Sequence, residues 1–215
     1  LFWLSSIATF PFALLLMPAA SASPVPFSKL PQVLPTQQHQ GNQKIRVRLA
    51  EAIPVVQLRG YDLKIYQERA LASSPGQNSE WEIRCQDGRV RAVPTGQAEG
   101  PRRTLELREP VTVRTPAGFL QFKGKPYREQ VQIHSVGSFC EVVNEVDVEK
   151  YLQGLVNSEF SSKWSEEAVG AQAVAARTYA LHQIRTARAQ KGRHYDVDAT
   201  VRDQVYDGSI KEDLR

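Results

Sequence analysis

Cysteine, methionine and histidine are scarce in this sequence, with two, one and four copies among 215 residues. Two cysteines are too few for a small disulfide-dense scaffold. With 41% hydrophobic and 23% charged residues, the composition also excludes a disordered chain. The histidines lack the short spacing of zinc ligands, so we predict no metal site and no cofactor. They are His39, His134, His182 and His194.

Charge is absent from the first 28 residues, and the chain does not begin with methionine. An apolar run through Leu14-Leu15-Leu16-Met17 ends at Ala20-Ser21-Ala22, the small-x-small pattern of a signal cleavage site. Residues 1–22 are therefore predicted to be a secretory signal peptide without its basic start. We expect an extracytoplasmic protein, whether secreted, periplasmic or associated with the cell wall. A retained membrane anchor is the alternative, because about 20 apolar residues span a bilayer.

The predicted signal peptide is followed by a linker and one domain. Residues 23–43 are rich in proline and glutamine, which is typical of an extended linker. Residues 44–215 are expected to form the domain. Because the chain lacks an initiating methionine and closes without a finished element, we expect a fragment truncated at both ends, with the domain incomplete at its C-terminus.

The formal net charge of +4 comes from the first two thirds of the chain. Such a basic excess could favour a polyanion. The cations alternate with apolar residues and form no block, which favours the solvated face of a sheet. We therefore predict no nucleic-acid partner, and a membrane contact only if the N-terminal segment is retained.

Residues 44–146 show the period-two pattern of half-buried strands. Three aliphatic residues alternate with three basic ones over residues 44–49, and Trp81, Ile83 and Cys85 alternate with charged residues. Asp87-Gly88 has the composition of a tight hairpin turn. Further short strands are predicted at residues 62–65, 105–107, 111–113, 119–122, 131–133 and 139–143.

At about residue 147 the apolar period becomes helical. Asp147 is predicted to cap a short first helix, residues 157–163 to form a loop, and Ser165 to cap a second, alanine-rich helix that ends near Ala189. Alanines on several faces of this helix suggest packing on more than one side. The predicted fold class is α+β: a β-rich N-terminal part followed by an alanine-rich helix that packs against it.

The sequence alone leaves two side-chain pairings undecided. Cys85 and Cys140 could form a disulfide or remain free thiols, because sequence does not show whether their Cβ atoms meet. Arg177, among small apolar residues of the second helix, needs a partner to offset its desolvation. Glu159, which precedes that helix, is one candidate.

The helical part carries several motifs in a fixed order. They are VNEV at 143–146, YLQG at 151–154, VNSEF at 156–160, AQAVAARTY at 171–179 and QVYDG at 204–208. Together they resemble the family of stage II sporulation protein D (SpoIID) and the amidase enhancer LytB. The resemblance is strong from about residue 142 to 208, and only the strand pattern matches from 44 to 141.

This resemblance implies an extracytoplasmic protein of the cell wall that acts on peptidoglycan glycan strands. The sporulation branch implies a lytic transglycosylase, which cleaves the MurNAc-GlcNAc bond of denuded strands and leaves a 1,6-anhydro end. The other branch implies the alternative, a non-catalytic enhancer that modulates a cell-wall amidase.

Residue by residue, the family's catalytic glutamate falls on Glu159 and a substrate-binding arginine on Arg177. Gln172, Gln204 and Tyr206 are further candidates for substrate contacts, through hydrogen bonds and sugar stacking. A single carboxylate suffices for this reaction, because the 6-hydroxyl group of the sugar is an intramolecular nucleophile.

The chain departs from the family pattern at several positions. Asn157 and Phe160 stand where proline and methionine are usual, and Gly170 replaces a lysine, which costs about 1 kcal/mol of helix propensity. Asp198 and Asp203 occupy positions where members often carry two cysteines. No thiolate metal ligand is therefore expected there.

Overall fold

The computed structural model of the chain describes residues 43–73, 79–96, 103–116, 118–159 and 164–209, with residues 156–159 described by their backbone alone. The predicted signal peptide and the linker up to residue 42 lie outside these residues. The prediction of one domain over residues 44–215 stays a prediction.

The described residues form thirteen strands and two helices. In chain order they are β1 (Lys44–Ile53), β2 (Val56–Gly60), β3 (Lys64–Gln67), β4 (Ala70–Ser73), β5 (Ser79–Gln86), β6 (Arg89–Pro94), β7 (Leu105–Arg108), β8 (Val111–Arg114), β9 (Leu120–Phe122), β10 (Lys125–Tyr127), β11 (Gln130–Val136), β12 (Phe139–Asp147), α1 (Val148–Glu159), α2 (Glu166–Arg188) and β13 (Val197–Asp198). The α+β prediction is confirmed.

The strands form two sheets. The seven-stranded sheet has the order β13-β1-β12-β11-β8-β3-β4, and the six-stranded sheet has the order β10-β9-β2-β5-β6-β7. In β2, β5 and β6 alternate residues enter one continuous core, as Trp81, Ile83 and Cys85 do from β5. The alternation in the sequence therefore predicts the buried face correctly.

The hairpin predicted at Asp87-Gly88 is present between β5 and β6. Gln86 pairs with Arg89, which leaves a two-residue loop. Asp87 and Gly88 both have positive φ, 48° and 79°, as a type I′ turn requires.

A disulfide between Cys85 and Cys140 joins the two sheets. Cys85 lies on β5 of the six-stranded sheet and Cys140 on β12 of the seven-stranded sheet. Of the two alternatives left open by the sequence, the structure thus has the bonded one. The bond closes a loop of 55 residues.

Both predicted helix caps are present. The backbone N–H of Glu149 donates to Asp147 Oδ1 over 2.9 Å, and that of Ala168 donates to Ser165 Oγ over 3.3 Å. The prediction of a loop from residue 157 is wrong at its start, because α1 continues to Glu159. No glycine or proline stands between Gly154 and Glu159 to end the helix earlier.

The alanine-rich helix α2 packs on α1, β1 and β13, as predicted. Its buried residues recur every three or four positions, at Ala176, Ala180, Ile184 and Ala187. Val174 on another face is 61% exposed. The expectation of packing on more than one side is therefore wrong within the described residues, because the neighbours of α2 cover a single stripe. None of the described helices is long and apolar enough to cross a membrane.

Removal of the disulfide should lower the free energy of unfolding by about 4 kcal/mol, since the cross-link restricts the unfolded chain over 55 residues. Urea denaturation of the double variant Cys85→Ser, Cys140→Ser measures this loss. The reduced natural chain should have the same urea midpoint as the variant, and a reductant should not change the midpoint of the variant. An unchanged midpoint on reduction would contradict the expectation.

Candidate functional site

Three of the sequence motifs meet at one buried point, which we call the motif junction and define by Asn144, Tyr151, Gln204 and Tyr206. The Tyr206 hydroxyl donates to Asn144 Oδ1 over 3.1 Å, and the Tyr151 hydroxyl donates to Gln204 Oε1 over 2.9 Å. The rings of Tyr151 and Tyr206 pack with centroids 5.0 Å apart. The junction therefore connects β12, α1 and the segment after β13.

Asn144, at the centre of the hydrogen bonds of the junction, is fully buried. Its Nδ2 donates to the carbonyl oxygens of Arg128 and Gln130, at 3.0 and 2.8 Å, while Oδ1 accepts from Tyr206. Each polar atom of the amide thus has a partner, as burial requires. Loss of one partner would leave a buried polar group unsatisfied, at a cost of about 1–3 kcal/mol.

Two glycines let the backbone close around the junction. A Cβ atom at position 154, on α1, would collide with the carbonyl oxygen of Gly208. Gly208 has a φ of +67°, and a Cβ atom there would collide with the carbonyl oxygen of Pro126. Glycine at both positions therefore allows α1, the segment after β13 and β10 to approach closely.

Glu159 is the last residue of α1, and its side chain lies outside the described residues. The predicted catalytic role of Glu159 is therefore a proposal, taken up below. What the structure describes is the helix that ends at this residue. Tyr151, Leu152 and Leu155 bury the inner face of that helix in the core.

Arg177 lies on α2 and forms an ion pair with Glu149 in the first turn of α1. Its Nε donates to Glu149 Oε1 over 3.1 Å, and Nη2 contacts Oε2. The side chains are 39% and 60% exposed, so the pair contributes at most about 1 kcal/mol. Arg177 thus has a carboxylate partner, and the described one is Glu149 on the neighbouring helix.

The substrate contacts predicted for Gln204 and Tyr206 stay a prediction, and the structure describes where the two side chains lie. These side chains are 7% and 2% exposed, and their polar atoms bond to Tyr151 and Asn144. They occupy the interior because the ring of Tyr206 packs between Tyr151 and Tyr127. Both side chains contact Tyr151 of α1 from the core. Gln172 is half-buried on α2.

The two aspartates at the family's cysteine positions tie α2 to β1. The guanidinium of Arg48 donates twice to Asp198 Oδ2, over 2.9 and 2.7 Å. Asp203 accepts from the backbone N–H of Asp198 over 2.7 Å and from the hydroxyl of Tyr179. Burial opposes the ionisation of Asp198, but hydrogen bonds from Thr200 and Arg48 outweigh burial and lower its pKa.

Two of the dispersed histidines meet in the fold. The rings of His134 and His194 are stacked with centroids 4.0 Å apart, and His194 Nδ1 lies 2.9 Å from Glu141 Oε1. Burial and the positive groups nearby lower the pKa of His134 to about 4, so it is neutral near pH 7. Among the described residues, no group of three or more histidine, cysteine or acidic side chains is arranged to hold a metal ion.

Residues 137–215 match the family SpoIID, described as stage II sporulation protein. The match confirms, over these residues, the resemblance predicted from the motifs. The family supports a role connected with sporulation and the cell wall. The match covers the motif junction, Glu159 and Arg177.

An uncharacterized protein of Brachyspira hyodysenteriae is 38% identical to this chain over 104 residues. The alignment covers 48% of this chain and 27% of that relative, so the chain spans about a quarter of the relative's length. No solved structure gives a significant match.

The close approach at the motif junction makes Gly154 sensitive to substitution. Gly154→Ala should destabilise the protein by about 1–3 kcal/mol, because the added methyl group overpacks the contact with Gly208. Gly170→Ala on α2 is the matched control, since a Cβ atom there meets nothing within 4 Å. It should stabilise the protein by about 1 kcal/mol through helix propensity. Urea denaturation measures the free energy of unfolding of both variants, which should change in opposite directions. A Gly154→Ala variant that is more stable than the natural chain would contradict the close contact with Gly208.

Proposed function

We propose that the chain acts on peptidoglycan as a lytic transglycosylase that cleaves the MurNAc-GlcNAc bond of denuded glycan strands and leaves a 1,6-anhydro end. The observation that carries the proposal is the SpoIID match, which contains both Glu159 and Arg177. In support, Glu159 is the last residue of α1, and the motif junction anchors the inner face of that helix.

Glu159 would act first as an acid and then as a base. Its protonated carboxyl group gives the proton to the glycosidic oxygen as the bond to the anomeric carbon breaks. The carboxylate then removes the proton of the 6-hydroxyl group of MurNAc, and that oxygen bonds to the anomeric carbon. Glu159 regains its proton, so the reaction consumes no water and needs no second carboxylate.

Arg177 would bind the substrate and not tune Glu159. A cation close to Glu159 would favour its charged form and oppose the acid step. The side chain of Arg177 is 39% exposed, and its ion pair with Glu149 of α1 fixes its position. It can therefore offer N–H donors to an acetamide or lactyl oxygen.

The disulfide supports an extracytoplasmic site of action. Disulfides such as Cys85–Cys140 persist in oxidising compartments and are rare in the cytosol. This agrees with peptidoglycan as the partner and with the signal peptide expected over residues 1–22.

A second candidate function is that of a non-catalytic modulator of a cell-wall amidase. The observation that favours it is the exposure of two large apolar side chains, Val174 on α2 at 61% and Trp164 before that helix at 52%. Both side chains are accessible to a protein partner.

The test is incubation with denuded glycan strands, followed by mass spectrometry of 1,6-anhydro ends. Glu159→Gln should reduce product formation by about 10²–10⁴-fold, because the acid and base are lost. Glu166→Gln, an exposed carboxylate in the first turn of α2, is the matched control and should keep full activity. Undiminished product from Glu159→Gln would contradict the assigned role. A folded natural chain that makes no product but activates an amidase would favour the second candidate.

A further inference from the structure

Two aromatic side chains are exposed at one end of the six-stranded sheet. Tyr61 is 48% exposed and Phe119 is 38% exposed. Gly60 pairs with Leu120, so Tyr61 follows β2 at the point where Phe119 precedes β9. The strand register therefore brings the two aromatic residues to the same edge.

A row of polar side chains runs beside these aromatic residues. Arg59 on β2 pairs with Gln121 on β9 and with Glu80 on β5, which aligns the three residues across neighbouring strands. Arg59 Nε donates to Glu80 Oε1 over 2.8 Å, while the Arg59 side chain remains 64% exposed. The row thus presents amide, guanidinium and carboxylate groups to solvent.

The aromatic residues and the polar row line one groove of about 570 Å³, which we call the sheet groove. Its volume lies in the range of about 300–1,000 Å³ that small-molecule sites occupy. A protein partner would need a much larger surface of about 800 Å² on each side. A groove of this volume is large enough for one or two sugar units.

Two contacts hold the walls of the sheet groove in place. The guanidinium of Arg128 lies 4.5 Å from the centroid of the Phe119 ring. The carbonyl oxygen of Tyr61 accepts from Thr115 Oγ1 over 3.4 Å. Preorganised walls reduce the entropy lost when a ligand binds.

The sheet groove is structurally connected to the motif junction. Gln121, which lines the groove, pairs with Pro126 on β10. The carbonyl oxygen of Pro126 accepts from the backbone N–H of Ser209 over 2.9 Å, next to Gly208. The β9–β10 hairpin thus contributes Gln121 to the sheet groove and contacts the segment that follows the motif junction.

We propose that the sheet groove is a second carbohydrate-binding site, which holds sugar units of a glycan strand away from the cleaved bond. The apolar C–H face of a pyranose ring packs on aromatic rings such as those of Tyr61 and Phe119. Its hydroxyl and acetamide groups match the donors and acceptors of Gln121, Arg59 and Glu80. The inference depends on the proposed function only for the identity of the glycan.

The test is calorimetric titration of the chain with denuded MurNAc-GlcNAc oligomers, with Glu159→Gln present in every protein to prevent turnover. Tyr61→Ala and Phe119→Ala should each weaken binding about tenfold, because each removes one aromatic contact. Tyr61→Phe keeps the ring and should bind almost as tightly as the parent. Phe139→Ala is the matched control, since Phe139 is 45% exposed on β12 and does not line the groove.

Unchanged affinity in both Tyr61→Ala and Phe119→Ala would overturn the inference, as would equal weakening by Phe139→Ala. Absence of any glycan binding by the parent would also overturn it. Failure of the proposed function is distinguishable from these results. In that case the natural chain makes no anhydro product, yet glycan binding still depends on Tyr61 and Phe119.

Discussion

The hydrogen bond from Tyr206 to Asn144 is the constraint on which the rest of the C-terminal part depends. It joins two residues that are 62 positions apart in the sequence. Water has no access to it, because both side chains are at most 2% exposed. In that environment a missing partner is costly, so the bond fixes the segment after β13 against β12. With that segment fixed, Gln204 accepts a hydrogen bond from Tyr151, and Gly208 packs against Gly154. These contacts hold α1 in one position.

The proposed role of Glu159 depends on this position of α1. An acid catalyst must be held within hydrogen-bond reach of the bond it cleaves, and rigid elements hold a side chain better than loops do. Helix α1 is anchored on its inner face by the motif junction and capped by Asp147, and its last residue is Glu159. The ion pair between Arg177 and Glu149 adds a surface link between α1 and α2. The glycine at 154, and not a larger residue, is what permits this arrangement.

Much of the fold could be predicted from local patterns. Period-two alternation identifies the core-facing residues of β5, the Asp87-Gly88 pair identifies its hairpin, and Asp147 and Ser165 identify the helix starts. These features depend on neighbouring residues alone. The two-residue strand β13 has no such pattern, because it exists only through parallel pairing with β1, about 150 residues earlier.

The candidate site was harder to predict, since a motif shows which residues occur together but not which way they face. Gln204 and Tyr206 have the chemistry of sugar contacts, yet burial and hydrogen bonding give them an internal role. The partner of Arg177 is similarly set by the packing angle of two helices. Tyr61 and Phe119 lie 58 residues apart, and only the pairing of β2 with β9 brings them together.

Native-state hydrogen exchange of the α1 amides tests most directly whether the motif junction fixes this helix. The account predicts that the amides of Tyr151, Leu152 and Leu155 exchange only through global unfolding, with the same free energy as core amides of β5 and β12. Exchange of the α1 amides at a free energy well below that of the core strands would show that the helix opens locally. That result would contradict the account.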